Sequence, residues 1–432
     1  MSEYTYLPRL MDDHLKETLD YIGAVLIVGP KWCGKTTTAE MQAKSVLKMQ
    51  DPDQSKGYIA TAETKPSLLL IGENPRLLDE WQIAPVLWDA VRTAVDNRRE
   101  TGLFILTGSN AVDNSKIMHS GTGRITKLQM YPMSLYESNE SNGCISLASL
   151  FDDPDYDIDG KKSDLSIERL IFAACRGGWP ASVNAATNKA ALFTAKTYLQ
   201  SVCDEDCSKI DNVSRDPHKM RAILRSYARN ISTLASNTSI LQDVQANFAD
   251  LSEPTLYSYL NVLNRLYVIE DVPAWNPSIR SASAMRSGNK KEFTDPSIAV
   301  AALNLTPDNL LTDLHTFGFI FETLCIRDLK AYSTKLGGKV SYYHDRYGLE
   351  ADCVLHLEND KYALIEFKLG NRGIEEGANH LIELRNLIHK HNAESKVGKL
   401  REPDLLIVIT GGEMAYKRND GVCIIPIGCL KD

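Results

Sequence analysis

Short apolar runs separated by polar, turn-forming residues organise the first third of the chain. Ala24–Val28, the tetrad Arg76-Leu-Leu-Asp79 and the run 103–107 are continuous rather than alternating in hydrophobicity. That pattern predicts strands covered on both faces, as in a parallel sheet flanked by helices. Amphipathic stretches predict helices over 37–48 and 84–99. Residues 140–163 are rich in Asp, Ser, Gly and Asn and read as a loop or domain edge. Helices follow over 167–175, stopped by Gly177-Gly178-Trp179-Pro180, and over 190–202. Three further helices are expected over 220–230, 240–247 and 256–266, the last capped by Ser252 with Pro254 in its first turn. A strand or wing over 267–275 completes the pattern of a winged helix-turn-helix. In the last quarter a helix over 318–329, strands over 340–344, 349–355 and 362–368, a helix over 374–390 and a strand over 404–410 predict a second α/β unit.

With 432 residues the chain has room for two to four domains, and its net charge of −8 excludes a chain that is basic throughout. The nine cysteines form no C-x-x-C pair, and Cys203 and Cys207 have no partners at zinc spacing, so a reduced, cytoplasmic protein is expected. The polar, acidic N-terminus does not read as a signal peptide, and no apolar run approaches a membrane span.

Chemistry enters at residue 29. Gly29-Pro30-Lys31-Trp32-Cys33-Gly34-Lys35-Thr36 is a complete G-x-x-x-x-G-K-[ST] phosphate loop between a predicted strand and a predicted helix. Its backbone amides, continuing to Thr37, would wrap the phosphates of ATP at the positive end of the helix dipole. Lys35 would reach the β- and γ-phosphates, and Thr36 would ligate Mg²⁺. Cys33 reads as a filler or as an oxidation-sensitive thiol. Asp79, ending the second strand, is expected in the Mg²⁺ shell, and Glu80 is expected to polarise the attacking water; an ordinary helix cap is the competing role for such an Asp. Thr107, Ser109 and Asn110 end the third strand, where ligands of α/β sheets sit, and are expected to contact the γ-phosphate or the attacking water. Arg124, in the glycine-rich stretch from His119, would neutralise charge on the γ-phosphate of its own or a neighbouring subunit, unless it is a plain surface arginine.

The text PRLLDEWQIAPVLWDAVRTAVDNRRETGLFILTGSN, followed by HSGTGRITKLQMYPMSLYES, resembles a prokaryotic family of AAA+ ATPases joined to a C-terminal domain of unassigned function with a restriction-nuclease-like core. The resemblance continues through GGWPASV, ARNISTLAS and the final DGVCIIPIG. It implies nucleotide hydrolysis with Arg124 as arginine finger. The resulting expectation is an α/β fold class: an AAA+ P-loop ATPase core over 1–140, a helical lid over 141–210, a winged-helix region over 211–300 and a PD-(D/E)xK nuclease-like domain over 301–432.

In that last domain Glu366 and Lys368 share one face of a strand, with Asp352 on the neighbouring strand of a hairpin. Asp352 and Glu366 would hold a Mg²⁺, joined by Glu322 from the preceding helix, and Lys368 would orient or deprotonate water. The family's ExD and ExK segments support this assignment; an exposed ion pair is the alternative for Glu-x-Lys. Ser258, Tyr259, Asn261 and Arg265 on the third helix, and the basic residues Arg280, Arg286, Lys290 and Lys291, are candidate DNA contacts, against a protein-binding role for the same module. The expected function is an oligomeric ATPase driving a DNA-facing module, either an ATP-regulated nuclease or a non-cleaving regulator with an unknown protein partner.

Overall fold

The computed structural model describes residues 6–108, 120–153, 155–211, 213–275, 288–345, 347–394 and 398–432. Ser109, Asn110, His119, Arg280 and Arg286 lie outside the described residues.

The N-terminal unit runs α1 (Leu10–Tyr21), β1 (Ala24–Val28), α2 (Lys35–Gln42), β2 (Ser45–Lys48), α3 (Ser55–Thr64), β3 (Arg76–Asp79), α4 (Val86–Arg98), β4 (Phe104–Thr107) and β5 (Ile125–Gln129). All five strands are parallel, in the order β2-β3-β4-β1-β5. The continuous apolar runs are explained by two-sided burial. Val25 and Ile27 pack with Met11, Leu15 and Leu19 of α1 on one face. Ala24, Leu26 and Val28 pack with Leu87, Val91 and Val95 of α4 on the other.

The helix expected over 37–48 is shorter than its pattern suggested. It stops at Gln42, and 45–48 become the edge strand β2, paired with β3. The Lys44 amide donates to the Pro75 carbonyl at 2.8 Å, so pairing with the exposed edge of β3 outweighs local helix propensity. The loop expected over 140–163 holds β6 (Ile145–Ser146) and α5 (Leu147–Asp152), capped by Ser146. β6 pairs with β13 (Leu430–Lys431) near the C-terminus.

Beyond it come α6 (Ile167–Arg176), α7 (Pro180–Val183), α8 (Asn188–Ser201), a π-helical turn (Val202–Asp206) and α9 (Cys207–Lys209). Then follow α10 (Pro217–Arg229), α11 (Asn237–Gln245), α12 (Glu253–Arg265), α13 (Pro296–Ala302) and α14 (Pro307–Thr312). Isolated bridges join Ile269 to Phe293 and Val272 to Lys290, a short ladder following α12. The helices expected as a lid do not stand apart. Ile171, Ala174, Trp179 and Tyr198 share one continuous core with α10, α12 and the tail sheet.

The tail consists of α15 (Leu314–Ser333), the antiparallel strands β7 (Lys339–His344), β8 (Glu350–His356) and β9 (Tyr362–Lys368), α16 (Ile374–Glu394), then β10 (Leu405–Thr410), β11 (Tyr416–Lys417) and β12 (Cys423–Pro426). Its sheet order is β11-β12-β10-β9-β8-β7, with β10 parallel to both β9 and β12. The two faces of β9 separate cleanly. Ile365 and Phe367 pack towards α15 with Phe321 and Leu324, and Leu364 packs towards α16 with Ala378 and Leu381.

Candidate functional site

The phosphate loop leaves β1 where the sheet's strands end, and its turn needs two left-handed glycines. Gly29 has φ of 145° and Gly34 of 105°. A side chain on Gly29 would run into the Met130 carbonyl, so only glycine fits there. Lys35 is buried, and its Nζ donates to the carbonyls of Gly29 at 3.0 Å and Pro30 at 2.8 Å. The ammonium thus lies folded over the loop that would face a triphosphate. Buried Cys33 packs behind the loop, its thiol directed at the Met130 carbonyl.

Asp79 is fully buried at the end of β3. Its Oδ1 accepts from the Thr36 hydroxyl at 2.7 Å and the Thr107 hydroxyl at 2.6 Å. Its Oδ2 is buried and has no partner among the described residues. A buried carboxylate oxygen left without a donor is costly, and beside Thr36 it fits the coordination sphere of Mg²⁺, a cation that takes oxygen ligands. Thr107, expected to meet the γ-phosphate, instead spends its hydroxyl on Asp79. Glu80 follows in left-handed conformation (φ 54°) and accepts from the Gln82 amide. Burial holds its carboxyl above the ordinary range, opposed by the Gln82 bond.

Arg124 is a correction in part. Its carbonyl accepts from the Ala24 amide at 3.1 Å, which places it at the start of β1, and its Nε pairs with Asp96 near the end of α4 at 2.7 Å. Five residues at ~3.3 Å each put it roughly 15 Å from the phosphate loop. Its guanidinium, paired with Asp96, stands at the opposite end of β1 from the phosphate loop.

Arg9 escaped sequence reading because nothing local marks it. It is buried, donating to the Cys33 carbonyl at 2.7 Å, the Tyr131 carbonyl at 2.8 Å and Glu137 Oε1 at 2.9 Å. It braces the phosphate loop from behind. The loop's exposed tip meets the helical region: Lys31 pairs with Asp206 in the π-helical turn, and the Trp32 ring meets Tyr198 edge-on at 5.7 Å.

With this geometry the first comparison is decisive: residues 22–139 match the family described as "AAA domain". The segment is similar to AAA-type P-loop ATPase domains. Residues 167–309 and 317–430 match two families described as domains of unknown function, DUF8612 and DUF4143. Uncharacterized proteins of Mycobacterium bovis and Mycobacterium tuberculosis are each 22% identical over 350 residues, covering 81% of this chain and 71% of theirs. Among solved structures, a Walker-type ATPase of Pyrococcus abyssi aligns at 14% identity and a TM-score of 0.41, over 69% of this chain and 96% of its own. A Drosophila ORC structure bound to DNA aligns at 13% identity and a TM-score of 0.18, over 70% of this chain and 84% of its own.

The tail acids are arranged differently from the acid beside the AAA domain's phosphate loop. Asp352 Oδ2 accepts from the Phe367 amide at 3.0 Å, so the β8–β9 hairpin does bring Asp352 beside Glu366. Glu366 is fully buried on the α16 side, its Oε2 lying 2.8 Å from Lys368 Nζ and its Oε1 3.6 Å from His380 Nδ1. Burial raises its carboxyl pKa, as does Asp352, and the nearby Glu366 carboxylate raises that of His380. Glu322 comes from α15, on the other face of the sheet, and its partner is Lys290 at 2.6 Å. Lys290 was expected as an exposed phosphate contact. It is buried, as is Lys291, which pairs with Asp271 at 2.8 Å. Burial alone would lower the Lys290 pKa, but Glu322 and Asp352 more than offset it and hold the ammonium above its ordinary value.

Among the described residues no three His, Cys, Asp or Glu side chains converge as a metal cluster. Glu322 and Glu366, expected to share a Mg²⁺ with Asp352, instead lie on opposite sides of the sheet, with Lys290 beside the first and Lys368 beside the second. On α12, Tyr259 is a further correction. It is buried and its hydroxyl accepts from the Asp216 amide. Ser258 accepts from Arg215 at 3.0 Å, which leaves Asn261 exposed and Arg265 half-exposed. No helix among the described residues is long and apolar enough to cross a membrane.

Proposed function

We propose that this protein is a Mg²⁺-dependent ATPase that works as a homo-oligomer and drives a nuclease-like tail that docks nucleic acid without cutting it. The observation that carries the ATPase reading is the buried Asp79 carboxylate, fixed by Thr36 and Thr107 with one oxygen to spare, beside a complete phosphate loop. Backbone amides of 29–37 and Lys35 bind the β- and γ-phosphates. Thr36 and Asp79 hold Mg²⁺, which neutralises charge on the phosphate oxygens. Glu80, which follows Asp79 and accepts from Gln82, orients the attacking water and takes up its proton, a task its raised pKa suits. Arg124 of one subunit serves the nucleotide of the next, once released from Asp96.

A buried polar path joins the loop to the tail. Arg9 links Cys33 to Glu137. Glu137 accepts from the Ser134 amide at 2.8 Å, and the next amide, of Leu135, donates to Asp328 at 3.0 Å. Arg327 then clamps Asp328 at 2.7 Å and Asp295 at 3.0 Å. This path supports coupling between nucleotide state and α15, the helix that also carries Glu322.

The order helix, three-stranded meander, helix, strand supports the PD-(D/E)xK-like reading, and the Lys290 ammonium standing between Glu322 and Asp352 favours docking over cleavage. α12 offers Asn261 and Arg265 to DNA within a winged-helix-like arrangement. The test is hydrolysis by native protein and by Glu80→Gln, together with incubation of linear and supercoiled DNA with Mg²⁺ or Mn²⁺ and ATP. Expected are ATP hydrolysis that the variant loses and intact DNA throughout. Cleavage abolished by Asp352→Asn would return the tail to the nucleases.

A further inference from the structure

Lys290 is placed, not merely present. Its amide donates to the Val272 carbonyl and its carbonyl accepts from the Val272 amide, both at 2.9 Å, so the backbone is pinned on both sides. From there Nζ reaches inward, donating to Glu322 Oε1 at 2.6 Å and to the Asp352 carbonyl at 3.3 Å, and standing 3.6 Å from Asp352 Oδ1. The Tyr342 ring lies 5.8 Å away. Asp352 Oδ2 is taken by the Phe367 amide.

We propose that Lys290 is the resident cation of the tail domain, its ammonium standing between Glu322 and Asp352 where a divalent metal would have to bind. An ammonium carries three donors, and two carboxylates and a carbonyl surround this one. A dication brought beside it would face a buried like charge and would strip Lys290 of both its partners. Glu366 lies on the α16 side, away from Glu322; Lys368 Nζ stands 2.8 Å from its Oε2 and His380 Nδ1 3.6 Å from its Oε1, near enough to offset its charge, although neither oxygen makes a hydrogen bond among the described residues.

This inference rests on the nuclease-like reading of the tail only for the place a metal would take. Its test is run without nucleotide, so its failure is distinct from failure of the ATPase reading. Mn²⁺ is titrated into the full-length protein and free Mn²⁺ is followed by electron paramagnetic resonance, for native protein, Asp352→Asn, Lys290→Met, and Lys290→Met with Asp352→Asn. Native protein is expected to take up no Mn²⁺ that Asp352→Asn removes. Lys290→Met is expected to gain about one site, at least ~10-fold tighter than native uptake, and to lose it when Asp352→Asn is added. Lys290→Gln, which keeps a donor for Glu322 but drops the charge, is read in its place if the methionine variant does not fold. Native Mn²⁺ uptake that depends on Asp352, or a folded Lys290 variant that gains none, overturns the inference. Should neither variant fold, the native comparison alone decides.

Discussion

Asp79 and Asp352 are both acids on strands of buried sheets, and both sit where a Mg²⁺ ligand was expected. Their partners differ in kind. Asp79 is held by two neutral hydroxyls and keeps one buried oxygen without a donor. Asp352 is held by a backbone amide and lies beside a lysine ammonium already bound to Glu322. The first arrangement carries a standing electrostatic cost that an incoming cation relieves; the second has been neutralised from within. Readiness for a metal is thus set by what the carboxylate already touches, and sequence spacing does not reveal it.

The contrast extends to what completes each site, and there the largest effect is expected. If the AAA domain's site is finished by a neighbour, Arg124→Ala should lower kcat by about 10³-fold while nucleotide affinity barely changes. Mixing that variant with Lys35→Ala should restore part of the hydrolysis, since each supplies what the other lacks. Mixed samples as inactive as their components would break the contrast.

A stability comparison sharpens it further. Lys290→Met leaves Glu322 and Asp352 buried without their cation and should cost roughly 3 kcal/mol in denaturant unfolding of the nucleotide-free protein. Asp79→Asn removes an unmet charge and should cost less than about 0.5 kcal/mol, while abolishing hydrolysis. Equal losses would mean that the two acids are in equivalent settings. Lys35→Ala should weaken ATP binding at least ~100-fold, about 2.7 kcal/mol, by calorimetry, with melting of the nucleotide-free protein little changed.

The smallest effect is a pH dependence confined to the tail. His380 has its pKa raised by Glu366, so its contribution is present below the unfolded value of ~6.5 and fades as pH rises through the raised folded value. Glu366, raised by burial, acts with the same sign from ~4.5 upward. Melting temperatures between pH 5.5 and 8.5 should fall more steeply for native protein than for His380→Gln. Parallel curves would remove His380 from the cluster.

The sequence made the strands of the AAA domain and the β8–β9 hairpin readable because both express a burial pattern local to a few residues. It also made the phosphate loop and Asp79 readable, since their chemistry is carried by neighbours in the chain or by one defined following strand. β2 was hidden because its pairing partner lies about thirty residues on, where the Lys44 amide finds Pro75. Arg9 and Lys290 were hidden for the same reason at greater range. Arg9 answers to residues near 33 and 131–137, and Lys290 to α15 and β8. A basic pair such as Lys290-Lys291 reads as solvated until the fold supplies buried acids on both sides. Tyr259 reads as exposed until α12 turns its ring inward to meet Asp216.

The most direct measurement counts Mn²⁺ bound to the native protein in the presence of a non-hydrolysable ATP analogue. The expected result is one ion per chain, lost with Asp79→Asn and indifferent to Asp352→Asn. A second ion that appears without nucleotide and disappears with Asp352→Asn, or no ion that depends on Asp79, would contradict it.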